Sequence, residues 1–143
     1  MKSILKDQEL TNFVIDDVVY YAAPLEGYDR YWATTCGYII SCRGLDPIVL
    51  QGKETHNGYR TVGINTTPVE KPKDLRVHRL IAATFYDYDP LDRDGNQRLE
   101  VNHLNGIRDD NKAANLEWCS HEENIYHYLS VTKVLQKLAK EEI

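Results

Sequence analysis

The sequence predicts an α+β fold: a small N-terminal antiparallel β module, then a strand–loop–strand–helix unit that runs on into a C-terminal helix. Three observations carry this expectation. From Phe13 to Ile64, short apolar-polar alternations are separated by turn-forming dipeptides. A stretch from Thr66 to Lys73 then holds Pro68 and Pro72, which sustain neither a helix nor a central strand. Beyond it the period changes, with Val77, Leu80, Ile81, Thr84 and Phe85 recurring at helical spacing. The expected division is therefore residues 1–72 as β module and linker, and residues 73–143 as a second domain with its C-terminal helix.

Taken in order, Phe13 to Tyr21 alternates and reads as one strand. Tyr31 to Thr34 and Tyr38 to Cys42, joined across Cys36-Gly37, read as a hairpin; Ile48 to Gln51 with Tyr59 to Ile64, joined across Asn57-Gly58, read as another. His78 to about Tyr86 is the short helix. Asp87, Asp89, Asp92 and Asp94, with Pro90 and Gly95 among them, form a solvated acidic loop. Leu99 to Asn102 is a strand that brings His103 to its end, and Leu116 to Cys119 is the returning strand, with Leu116 and Trp118 on its core face. Ser120 followed by Glu123 is a capping box that starts a helix with Asn124 on its first turns. From Ile125 onward, Leu129, Val131, Val134, Leu135 and Leu138 recur on one face and Lys133, Lys137 and Lys140 on another, which extends that helix nearly to the C-terminus.

Composition limits the function classes. A chain of 143 residues builds one core, or two small lobes sharing one. With mean hydropathy −0.53 and no apolar run near the ~18 residues of a membrane span, a membrane role is not expected. Asp7, Glu9, Asp16 and Asp17 leave no apolar leader core near the N-terminus, so a cytoplasmic location is expected. Cys36, Cys42 and Cys119 are odd in number and lack Cys-x-x-Cys spacing, which points to reduced thiols. Cys119, His121 and His127 do not form a four-ligand zinc pattern. The 22 acidic against 17 basic residues give a net charge of −5, so attraction to phosphate must come from a local patch.

The chemistry concentrates in Val101-Asn102-His103-Leu104-Asn105-Gly106, Asn115-Leu116-Glu117-Trp118 and Glu123-Asn124. One imidazole and several carboxamides in one small volume suit metal-assisted phosphodiester hydrolysis. An imidazole with an ordinary pKa of ~6.5 keeps a neutral fraction able to take a proton from water. Carboxamide oxygens suit a hard cation such as Mg²⁺. Taken singly, each residue also reads as an ordinary polar group of a loop, helix or core.

These segments, with Arg76-Val77-His78-Arg79-Leu80 upstream, resemble the HNH nucleases of the phage and intron-encoded homing endonuclease type. Tyr31 to Ser41 and Asn57-Gly58-Tyr59-Arg60 resemble the NUMOD-like β module that often precedes such a nuclease. The resemblance implies a ββα-metal fold and DNA cleavage, by nicking or double-strand scission. It implies His103 as general base, Asn102 and Asn124 as ligands of one Mg²⁺ or Mn²⁺ ion, and Asn115 as a structural tie of the loop. His78 is open between bracing the site, touching DNA and fixing the helix to the sheet. Candidate DNA contacts are Arg76, Arg79, Arg108 and Lys112 near the site, and Arg43, Lys53 and Arg60 in the module.

Asn105 and Asp110 stand where relatives commonly have Asp and Asn, Ile107 replaces a frequent Asn, and Asn102 holds a position that is Asp in many members. Two readings of the tail stay open beside simple coverage of the domain, a homodimer contact and a DNA-backbone contact. The alternative to an enzyme is an HNH-derived protein that binds DNA or a nuclease partner with little catalysis, which the acidic balance favours.

Overall fold

A computed structural model describes residues 3–88 and 99–141. Strand β1 (Ser3–Leu5) pairs antiparallel with β10 (Tyr86–Tyr88). Strands β2 (Thr11–Ile15), β3 (Val18–Pro24), β4 (Tyr31–Thr34), β5 (Ile39–Ser41) and β6 (Ile48–Leu50) follow one another in a five-stranded antiparallel meander. Strands β7 (Lys53–Glu54), β8 (Arg60–Ile64) and β9 (Lys73–Arg76) make a second sheet, which leads into helix α1 (Val77–Phe85). Hairpin β11 (Leu99–His103) and β12 (Leu116–Ser120) is followed by α2 (His121–His127), a π-helical turn at Tyr128–Thr132 and α3 (Lys133–Glu141).

Two expectations about strands are corrected. Phe13 to Tyr21 is not one strand: Asp16 and Asp17 adopt φ of 51° and 66° and fold the segment into the β2–β3 hairpin. Aspartate tolerates the left-handed conformation that a two-residue hairpin turn requires. Nor do Ile48 to Gln51 pair with Tyr59 to Ile64. Strand β6 pairs with β5, and β8 pairs with β7 and β9. Between them Gly52, at φ +66°, passes so close to β8 that a Cβ there would lie 2.3 Å from the Thr61 carbonyl oxygen. That close approach redirects the chain from one sheet to the other. The proline-bearing stretch ends where β9 begins at Lys73. The acidic loop lies outside the described residues from Asp89 onward; Asp87 is in β10, 3.9 Å from the Lys6 ammonium.

The core draws on both halves of the chain, from Ala23 to Trp118. Ile39, Val62, Ile81, Val101, Leu116 and Trp118 belong to one buried cluster. The expected boundary at residue 72 falls between β8 and β9, which are hydrogen-bonded to each other. Helix α1 has no side-chain cap at Arg76, and nine residues are too few for a helix to persist unaided. Packing holds it, because Val77, His78, Ile81, Ala82, Thr84 and Phe85 are all buried. The Trp118 indole N–H also donates to the carbonyls of Ala82 and Tyr86 near the helix C-terminus, at 3.3 and 3.2 Å.

The C-terminal helix forms as expected, yet Leu129, Val134, Leu135 and Leu138 of its apolar face are 43–57% exposed. Thr132 is the buried residue of the π-helical turn, bonded to the His127 ring. Among the described residues no helix is long and apolar enough to cross a membrane.

Candidate active site

The β11–β12 ladder sets Asn102 opposite Glu117 and His103 opposite Leu116. The capping box is complete: the Glu123 amide donates to the Ser120 hydroxyl and the Ser120 amide donates to the Glu123 carboxylate. It fixes where α2 leaves the hairpin, and so places Asn124 one turn in. Asn102, His103 and Asn124 line one cavity of about 200 Å³, together with Tyr59, Glu100 and Arg108.

Two carboxylates govern the carboxamides. The Asn124 amide nitrogen donates to Glu100 Oε2 at 3.0 Å, while Glu100 Oε1 pairs with His121 Nδ1. The Asn102 amide nitrogen donates to Glu117 Oε1 at 3.2 Å. A carboxylate only accepts, so each pairing fixes which end of the amide is nitrogen and leaves the carbonyl oxygen as the atom available to a hard cation. Among the described residues no group of three or more His, Cys, Asp or Glu side chains could hold a metal ion. The two carboxamides expected from the sequence as cation donors, Asn102 and Asn124, both line the cavity. Cys119 on the same strand is buried, and desolvation, reinforced by Glu117, Glu123 and Glu100, pushes its thiol pKa up to about 12. It stays a neutral thiol.

His103 is 5% exposed, and its Nε2 lies 2.8 Å from Asn111 Oδ1. Burial holds its pKa below the ordinary imidazole value; the Asn111 bond and Asp110 act the other way, and Arg108 adds to the lowering. His78 is buried on α1 with its ring 5.2 Å from that of His103. Desolvation first, then the charges of His103, Arg79 and Arg76, depress its pKa to about 3. Its Nδ1 has no hydrogen-bond partner among the described residues. Tyr59 stacks on His78 at 5.0 Å between centroids and carries two guanidinium groups, Arg76 at 4.6 Å and Arg108 at 5.0 Å.

Asn115 knots the loop. Its amide nitrogen donates to Asn105 Oδ1 and the Asp110 carbonyl, and its oxygen accepts from the Asn105 amide. The basic candidates divide into groups. Arg76 and Arg79 flank His78 and Asn124 in an adjoining cavity, and Arg108 lines the site itself. Arg60 and Lys112 lie in a different cavity, where Arg60 is bonded to Asp109 at 2.7 Å and Lys112 is 3.7 Å from Asp110. Arg43, in the bend between β5 and β6, and Lys53, in β7, are exposed and do not line the site. Sequence reasoning assigned nothing to Tyr59, Glu100, Asn111 or Glu117. The available signals were an aromatic after Asn57-Gly58 and a glutamate two residues before Asn102 on the same strand face.

A hairpin whose turn-side histidine and following-helix asparagine meet in one cavity is the arrangement of an HNH endonuclease. The chain has that fold, and its resemblance to HNH endonucleases holds in both sequence and structure. It is 30% identical over 114 residues to an uncharacterized HNH endonuclease of Acanthamoeba polyphaga mimivirus, a match covering 76% of this chain and 25% of that protein. A second uncharacterized HNH endonuclease of the same virus is 32% identical over 112 residues, covering 78% of this chain and 31% of the relative. The chain thus spans a quarter to a third of the length of these relatives. Among solved structures it is similar to that of "DNA binding and cleavage by the HNH homing endonuclease I-HmuI", with 28% identity and a TM-score of 0.62 over 83% of this chain and 66% of the other. No protein-family model matches the chain.

Proposed function

We propose that this chain is a metal-dependent HNH endonuclease that hydrolyses DNA phosphodiester bonds, in the manner of a homing enzyme, with His103 as general base and Asn102 and Asn124 as the protein ligands of one Mg²⁺ or Mn²⁺ ion. The observation that carries this reading is the convergence of His103, Asn102 and Asn124 on one cavity, with both carboxamide nitrogens already committed to carboxylates. A divalent cation held there would supply positive charge to the leaving 3′ oxygen.

The chain's own groups supply the rest. Burial keeps the His103 imidazole neutral at physiological pH, ready to accept the proton of the attacking water. Arg76 and Arg108, both held over the Tyr59 ring, offer the local positive charge that a chain of net charge −5 needs to hold a phosphate backbone. Residues 1–72, read as NUMOD-like, complete the DNA-facing surface.

Incubation with supercoiled plasmid and Mg²⁺ or Mn²⁺ tests the proposal: nicked or linear product should form and should disappear on adding EDTA, while DNA association persists. DNA binding without cleavage in either metal would replace the enzyme by the binding-only reading that the acidic balance favours.

A further inference from the structure

Asn111 is buried to the same degree as His103, at 4% and 5% exposure, and its carboxamide oxygen lies 2.8 Å from His103 Nε2. That oxygen can only accept. With that oxygen facing the ring, Nε2 carries the ring hydrogen and Nδ1 is left with its lone pair, the one form of a neutral imidazole that can take a proton at Nδ1.

The segment that carries Asn111 is itself held by distant parts of the chain. The Ala113 amide donates to the Thr35 carbonyl at 2.9 Å, and the Tyr86 hydroxyl donates to the Ala113 carbonyl at 2.7 Å. Gly37, in the turn between β4 and β5, lies against the Asn111 backbone. At φ +96°, an added Cβ would sit 2.4 Å from the Asn111 carbonyl carbon and 2.8 Å from the Lys112 nitrogen. Only glycine permits both that dihedral angle and that approach.

We propose that Asn111 is the positioning residue that fixes the tautomer and orientation of His103, and that the Thr35–Tyr38 turn of the N-terminal sheet holds Asn111 in register. The β module is then part of the catalytic centre as well as a DNA-facing surface. Its catalytic consequence rests on the nuclease reading; the tautomer itself does not.

The test begins with the DNA-free, ¹⁵N-labelled chain, whose long-range ¹⁵N–¹H spectrum reports which nitrogen of His103 is protonated. The wild type should show the Nε2–H form. Asn111→Ala should raise the Nδ1–H population, and Asn111→Asp, which keeps an acceptor at the same reach, should restore Nε2–H. Gly37→Ala should reproduce the alanine defect although it touches neither His103 nor substrate. In cleavage assays, Asn111→Ala should lower kcat by about 10–100-fold with KM little changed, and Asn111→Asp should recover most of that loss. An Nδ1–H tautomer in the wild type would overturn the proposal even if every variant failed to fold. So would an unaltered tautomer in a folded Asn111→Ala chain. A wild type that shows Nε2–H yet cleaves no DNA would leave the positioning of His103 standing and remove the nuclease reading instead.

Discussion

Asn124 and Glu100 are joined by a 3.0 Å hydrogen bond, from the carboxamide nitrogen of one to the carboxylate of the other, which ties the first turn of α2 to the strand that ends in His103. Asn102 and Glu117 repeat the relationship across the hairpin. Both proposed cation ligands are neutral carboxamides, and each has a carboxylate one hydrogen bond behind it. The carboxylates thus supply at second remove some of the field that an aspartate ligand would supply directly.

Removing one of them should be felt by the metal. Glu100→Ala releases the Asn124 amide and deletes a charge, and should weaken Mn²⁺ binding to the DNA-free protein by about 10–100-fold in a calorimetric titration. Helical circular dichroism should persist, because the Ser120–Glu123 capping box does not involve Glu100. An unchanged affinity would dissociate Glu100 from the metal.

Asn102→Asp adds a charge at the ligand position and should tighten Mg²⁺ binding without DNA. The gain should be partial, since Glu117 lies at hydrogen-bond distance and two carboxylates there repel. Asn102→Asp combined with Glu117→Gln relieves that repulsion and should bind more tightly than either single variant. If Asn102→Asp leaves affinity untouched, Asn102 is not a ligand.

DNA association should discriminate among the basic residues. Arg76→Ala or Arg108→Ala should weaken binding and lower the slope of log K against log salt by about one counterion each. Arg60→Ala should change both less, because Arg60 is already bonded to Asp109. Equal effects at Arg60 and Arg76 would contradict this division of the surface.

His78 makes the fold sensitive to acid. Its pKa is about 3 in the folded chain against an ordinary 6.5, so as pH falls below about 6.5 the unfolded chain takes up a proton that the folded chain refuses. The stability associated with the neutral ring is fully present above that pH and is lost progressively toward pH 3. His78→Phe preserves an aromatic ring beside Tyr59 and cannot titrate. Its Tm should fall less than that of the wild type between neutral and mildly acidic buffer, and parallel declines would show that other groups dominate.

The unit that carries the candidate site was legible because its signals are local. The capping serine and glutamate are three residues apart, and the strand on either side of the loop alternates within itself. The β2–β3 hairpin was missed because only the adjacent Asp16 and Asp17 mark its turn, taking up the left-handed backbone with no Gly or Pro. The pairing of β8 was misread for a different reason: strand order is decided by burial among distant segments, which no window of sequence contains. The same holds for Tyr59 and Asn111. One reaches His78 and Arg108 from a remote turn, and the other draws its position from Gly37.

The shared core has a thermodynamic corollary. Ile39 and Val62 from the first half and Leu116 and Trp118 from the second bury one another, so neither half keeps its apolar surface covered when the other opens. Heat or denaturant should therefore melt the protein in a single transition reported alike by the Trp32 and Trp118 environments. A fragment beginning at residue 73 should behave as an expanded, dye-binding chain and not as a smaller nuclease. A β module transplanted from a relative would have to bring its half of the hydrophobic seam with it, because the apolar side chains of the two halves pack in one cluster.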